Sequence, residues 1–245
     1  MRNGRLILLF SLALTSLLVV FAMNPIGQDP AYHDFADQRQ FLGVPNFANV
    51  GSNVPFLLIG FFGLRLCFRR PTAGARLSWI VMFLSVALVA IGSAYYHWYP
   101  SNNTLFFDRL PMTTGFMGLA VAVASEHMDQ KIEIFALPLA LAVGVGSLFW
   151  WVLFNDLRFY GWIQFFSLAA VAVILALFPA AYSHRYYLAV GLGLYVFAKF
   201  AEAYDVAIFA ATGNAFSGHT LKHLLAAAAV FSIYLMLRNR RQLPR

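Results

Sequence analysis

Five residues carry the chemistry that this sequence suggests: Ser93, His97, Asp108, His219 and His223. On a helix, residues i and i+4 share a face, so Ser93 and His97 lie together, and His219 and His223 can grip one ion together. His-x3-His on a helix is a metal-binding pair. The zinc proteases that use it place Glu directly after the first His, whereas here the intervening residues are Thr220, Leu221 and Lys222. A general base must then come from elsewhere. Asp108 is the supplier at hand, because the turn at 99–104 folds its helix back beside the one that ends in His97. Three imidazoles around Zn2+ leave a fourth tetrahedral position open to water, the arrangement of catalytic zinc. Zinc lowers the pKa of such a water to about 7. The plainer alternative is that each histidine is a hydrogen-bonded packing residue at a helix end.

The elements that must position these residues are membrane helices. Of the 245 residues, 61% are hydrophobic and only 11% charged, against roughly 25% charged in soluble domains. That excludes an ordinary water-soluble domain and a disordered chain alike. A spanning helix takes about 20 apolar residues. Eight apolar runs are long enough: 6–23, 50–66, 77–98, 105–125, 132–154, 159–182, 186–211 and 218–237. They are continuous rather than alternating, which argues against a β-barrel. The expected fold is all-α, a polytopic membrane helix bundle with a seven-transmembrane core and one extra N-terminal helix. Residues 1–23 form that extra helix, read as an anchor rather than a signal peptide. Residues 24–49 form an extracytoplasmic loop, 50–238 the core, and 239–245 a basic tail. The single cysteine, Cys67, can form no internal disulfide.

The net charge of +7 does not indicate nucleic acid here, because the basic residues sit in short loops and at the tail. One side of the bundle receives Arg2, Arg5, Arg65, Arg69, Arg70, Arg76, Lys131, Arg185, Arg238, Arg240, Arg241 and Arg245. The other receives Arg39, Arg109 and Arg158. The richer side is cytoplasmic by the positive-inside rule. Ser93, His97, Asp108, His219 and His223 then fall at one depth, near the opposite surface. Ionisable residues within spans are costly and mark function by default, so their gathering at one level favours zinc over five separate packing roles.

Two further groups stand out. Lys199, Glu202 and Asp205 follow at i, i+3 and i+6, with Lys222 in the next span. They read as interhelical ion pairs that neutralise one another, with a role at a substrate head group as the alternative. His33, His127 and His184 fall in loops or at span ends and read as solvated.

Three short blocks resemble the alkaline ceramidase family, within the membrane-hydrolase superfamily that includes the adiponectin and progestin receptors. They are Gly92-Ser93-Ala94-Tyr95-Tyr96-His97, Phe107-Asp108-Arg109-Leu110-Pro111-Met112 and Gly218-His219-Thr220-Leu221-Lys222-His223. Residues 46–53 are similar to the start of that family's first core helix. The resemblance implies a seven-helix bundle holding zinc through His97, His219 and His223, with Asp108 and Ser93 contacting the reactive water or the substrate. It implies hydrolysis of the amide of a ceramide-like lipid to a sphingoid base and a fatty acid. It also raises a Ca2+ site in the segment before the first core helix, to which Asp34, Asp37 and Asn46 correspond. Asn46 stands where a carboxylate is expected, however, and a cation at Arg39 is unfavourable beside an oxygen-ligand calcium site. The reading preferred from the residues is that Arg39 pairs with Asp34 or Asp37 and orders the loop.

Two rivals remain at this stage. One is a haem-binding electron carrier with histidines from separate helices as axial ligands. The other is a receptor or transporter of the same fold, with zinc as a structural ion.

Overall fold

A computed structural model describes residues 2–69 and 75–243. Arg70 and Arg245, both counted on the basic side, lie outside the described residues. Among the described residues the regular elements are all helices: α1 (Arg2–Ala22), α2 (Phe47–Gly51), α3 (Val54–Arg69), α4 (Arg76–Trp98), α5 (Asn102–His127), α6 (Ile132–Phe154), α7 (Arg158–Leu177), α8 (Tyr186–Ala203), α9 (Asp205–Ala211) and α10 (Gly218–Asn239). A single 3-10 turn, Pro30–His33, interrupts the long loop after α1.

Six of these are long and apolar enough to cross a membrane: those within Asn3–Ala22, Phe47–Arg69, Arg76–Trp98, Ile132–Phe154, Arg158–Leu177 and Gly218–Asn239. The chain is a multi-pass membrane protein. The two other long helices, α5 and α8, carry ionisable residues within their length: Asp108, Arg109 and Glu126 in one, Lys199 and Glu202 in the other. The large apolar side chains left exposed include Phe61, Leu84, Ile91, Leu139, Phe165 and Phe197. They lie on five different helices, as an outer surface solvated by lipid tails requires.

α4 and α5 form the central pair, with α3 beside α4, α6 and α7 beside α5, and α10 between α3 and α8. The central pair is locked by its turn and by one glycine. Pro100 ends α4, and Ser101 caps α5 by accepting from the Thr104 N–H at 3.2 Å, while the Thr104 hydroxyl accepts from the Ser101 N–H at 3.1 Å. This reciprocal box satisfies two of the backbone donors a helix start leaves free. Farther along, a Cβ on Gly92 would stand 2.1 Å from the Phe107 carbonyl oxygen. Only glycine allows the two backbones to touch there, and that contact brings Ser93 level with Asp108.

Two apolar runs that read as continuous are each broken. The run at 50–66 splits into α2 and α3 at Ser52 and Asn53. Pro55 has no N–H to continue the ladder and is tolerated only in a first turn. The run at 186–211 splits at Tyr204 into α8 and α9. There α10 presses in so closely that a Cβ on Gly218 would lie 2.1 Å from the Ala201 carbonyl oxygen.

α1 docks on α7. Trp162 Nε1 donates to Ser16 Oγ at 3.0 Å, and Arg158 donates to the Phe21 carbonyl at 3.1 Å while stacking on the Phe21 ring. Asp156 holds Arg158 in place with both carboxylate oxygens and also accepts from Trp150. The Arg158 hydrogen bonds hold the Asp156 carboxyl well below the usual carboxylate range. At the opposite end of the bundle Glu126 of α5 takes Arg240 through both oxygens, at 2.6 and 2.9 Å, and accepts from Trp79 Nε1 at 2.7 Å.

Candidate metal centre

The three histidines come from two helices that are distant in sequence, and the fold brings their rings together. His97 Nε2 lies 3.3 Å from His223 Nε2 and 3.3 Å from His219 Nε2. Ligand nitrogens of all three lie within 4.8 Å of one another, and all three residues are buried. Zinc–nitrogen bonds of about 2.0–2.1 Å at a tetrahedral angle require nitrogens about 3.3–3.4 Å apart. The observed spacing suits one ion.

The hydrogen bonds around the rings favour the same outcome. Ser52 Oγ donates its single proton to the Asn49 carbonyl at 3.0 Å, so its 2.7 Å contact with His223 Nδ1 must run from Nδ1–H to Oγ. In the neutral ring this leaves His223 Nε2 as a bare lone pair. Lys222 Nζ lies 2.9 Å from His219 Nε2. An ammonium only donates, so that nitrogen is an acceptor as well. Lys222 also bonds Glu202 at 3.0 Å, and keeps this partner when the imidazole lone pair is given to a metal. Two bare nitrogens thus converge with His97 Nε2 on one point. A haem needs its two axial nitrogens on opposite faces of a macrocycle, and three nitrogens this close leave no space for one.

Ser93 and Asp108 are both buried. Both line the same cavity, of about 250 Å3, and together with His223 they stand at one end of it; it runs into the bundle past Met82, Val86, Leu188, Val230 and Ile233. Water or a polar head group can meet Asp108 at one end while an apolar chain occupies the other. The class this fold and site define is a multi-pass helical membrane protein with a buried three-histidine group able to hold a metal ion.

Its family follows from comparison with known proteins. The family model described as Ceramidase matches residues 43–242. The chain belongs to the ceramidase family, whose membership implies a hydrolase acting on amides. No curated protein matches the chain. α1 precedes the matched region.

Two of the residues considered for calcium have other side-chain partners. Asp37 holds Arg39 in a two-pronged ion pair, Nε to Oδ1 at 2.8 Å and Nη2 to Oδ2 at 2.7 Å, and these hydrogen bonds hold the Asp37 carboxyl below its usual range. The Asn46 amide donates to the His97 carbonyl at 2.8 Å. Asp34 closes the 3-10 turn and is exposed. Of the two pairings weighed for Arg39, the structure has Asp37.

The second ionic group divides. Glu202 pairs with both Lys199 and Lys222. Asp205 leaves the group because α8 ends before it. It accepts instead from the His219 N–H at 2.7 Å and the Ala36 N–H at 2.9 Å, tying the metal-bearing helix and the long loop together. His33, read as solvated, is held between the Tyr96 hydroxyl at 2.9 Å and Asn102 at 3.0 Å.

Sequence reasoning passed over Ser52, Asn49, Phe35 and Tyr32. Asn49 is fully buried and accepts from the Thr220 hydroxyl at 2.9 Å. The Phe35 ring packs on His97 and His219, with centroids 4.7 and 4.8 Å away. For Asn49 and Ser52 a signal existed: three polar residues in 49–53 open an otherwise apolar helix.

Proposed function

We propose that this protein is a zinc-dependent membrane amidase that cleaves the amide of ceramide or a related N-acyl lipid to a sphingoid base and a fatty acid. The observation that carries the reading is the convergence of three imidazole nitrogens at the polar end of a cavity whose far end is apolar. His97, His219 and His223 would hold the ion. Zinc bound there supplies Lewis acidity and makes water nucleophilic near neutral pH. Asp108 takes the proton of the attacking water and delivers it to the leaving nitrogen, so that the amine departs neutral. Ser93 orients the Asp108 carboxylate and can turn its hydroxyl toward the oxyanion that develops on the carbonyl. Seven helices, α3 to α8 and α10, form the core, with α1 as an added anchor.

The basic residues that end α3 and begin α4, together with those following α10, belong to the cytoplasmic side by the positive-inside rule. The metal site lies at the opposite helix ends and so faces the extracytoplasmic side, with the lipid substrate entering from the membrane.

The test is amide hydrolysis by purified protein before and after chelation, with zinc measured in the same samples. His219→Ala is expected to lose both metal and activity. Full activity in His219→Ala with unchanged metal content would overturn the mechanism.

A further inference from the structure

Among the described residues three arginine side chains are almost fully buried, and two of these have a carboxylate of their own. Arg158 has Asp156 and Arg240 has Glu126. The third, Arg109, is 6% exposed and has none. Its guanidinium lies over the rings of Trp151 at 4.4 Å, Tyr160 at 4.8 Å and Tyr32 at 5.5 Å. Its Nη1 is buried without a hydrogen-bond partner. Aromatic faces stabilise the charge but leave the planar donor fork free, and that fork matches carboxylate and phosphate oxygens two at a time. A buried donor left unmatched is costly, so a residue kept this way awaits a partner from outside the chain.

Arg109 lines the same cavity as Ser93, Asp108 and His223, and so do Lys199, Glu202 and Lys222. Glu202 is one carboxylate shared by two ammoniums, so this group keeps a positive charge in excess. Tyr32 joins it to Arg109, its ring beneath the guanidinium and its hydroxyl donating to Glu202 at 3.2 Å. The cavity also holds a free acceptor, because Asn53 Oδ1 is buried and unpartnered.

Resting on the amidase reading, we infer that the substrate carries an oxyanion, a carboxylate or a phosphate, on its head group, and that Arg109 receives it with Lys199 and Lys222 behind. Within the amidase reading, an N-acyl lipid with an acidic head is preferred over one bearing hydroxyls alone. Asn53 accepts from an N–H or O–H of the same head. The aromatic cage aims the guanidinium and gives its cation ring faces to rest on in a site where it would otherwise face lipid.

The experiment compares matched amides in detergent micelles: N-palmitoylglycine against N-palmitoylethanolamine, and ceramide phosphate against ceramide. The first pair presents a carboxylate, the second a phosphate. kcat/KM should favour the anionic member of at least one pair about tenfold or more, the usual weight of a charge-assisted hydrogen bond. That ratio should collapse in Arg109→Gln and be partly kept in Arg109→Lys, which retains the charge without the fork. Thermal midpoint and zinc content, read on each variant, separate a lost contact from a lost fold. Ratios near one for both pairs in the unaltered protein overturn the inference while leaving the amidase reading standing. If neither member of either pair is cleaved, the amidase reading fails by itself. The anion site is then read from equilibrium binding: tighter binding of N-palmitoylglycine, lost in Arg109→Gln, supports it, and equal binding of the first pair overturns it.

Discussion

Replacing Gly92 with alanine tests whether the contact between α4 and α5 sets the geometry of the site. The added methyl would stand 2.1 Å from the Phe107 carbonyl oxygen and 2.9 Å from its carbon. That is about 1.3 Å short of ordinary van der Waals contact. The obstacle is helical backbone one residue before Asp108, so no side-chain rotation can relieve it, and the two helices must part locally by about 1 Å. Overpacking of this kind costs about 1–3 kcal/mol, which for a chain of this size lowers the thermal midpoint by a few degrees, about 2–4 °C per kcal/mol. The larger effect falls on the chemistry. Ser93 and His97 ride on one helix and Asp108 on the other, and a displacement of about 1 Å at a reacting centre can cost about a hundredfold in rate. The assay is hydrolysis of the amide substrate at matched zinc content, with thermal unfolding followed by tryptophan fluorescence. Gly193→Ala is the control, because nothing lies within 4 Å of the methyl it adds. It should match the unaltered protein or gain a little stability, since alanine is the better helix former. Gly92→Ala with unchanged rate and midpoint would refute the argument that helix contact aligns the site.

Three other outcomes are expected. Ser52→Ala removes the acceptor for His223 Nδ1–H and should weaken zinc binding about 10–100-fold, the usual effect of losing such a supporting bond; chelator competition measures it, and unchanged affinity contradicts the tautomer assigned to His223. Arg158 depresses the Asp156 carboxyl in the folded state, so its stabilisation is complete above the unfolded value of about 3.9 and is lost as pH falls from there toward the folded value; between pH 5 and 3 the thermal midpoint of the unaltered protein should fall more steeply than that of Asp156→Asn, and parallel curves count against the pairing. Glu126→Gln leaves Arg240 buried without its counter-charge and should destabilise by about 3–5 kcal/mol, with part recovered when Arg240→Met is added; a midpoint within a degree of the unaltered protein's contradicts the burial of that pair.

Composition and the run length of apolar residues were enough to determine a helical membrane protein, because a chain in lipid must satisfy its backbone hydrogen bonds within each segment. Helical spacing alone put His219 beside His223 and Ser93 beside His97. The turn at 99–104 was legible from its Pro and capping residues, and with it the return of Asp108 toward His97. What spacing could not determine was whether α10 would lie against the end of α4. That depends on packing between helices more than a hundred residues apart, and only the tertiary structure brings His97 Nε2 to 3.3 Å from both partners. Of the two helix breaks, Pro55 and its polar neighbours marked the one at Ser52, whereas the second, at Tyr204, was hidden. An apolar run looks continuous until a neighbouring backbone presses on it, and it was the second break that turned Asp205 from the lysine–glutamate group to the start of α10. Arg109 shows the same limit most plainly. In sequence it is one of three basic residues on the sparsely charged side, and nothing local says that three aromatic rings from the long loop, α6 and α7 will close around it while every carboxylate among the described residues stays beyond ion-pair distance. Periodicity is a local property of the chain, whereas the partner a buried charge receives is a property of the whole packing.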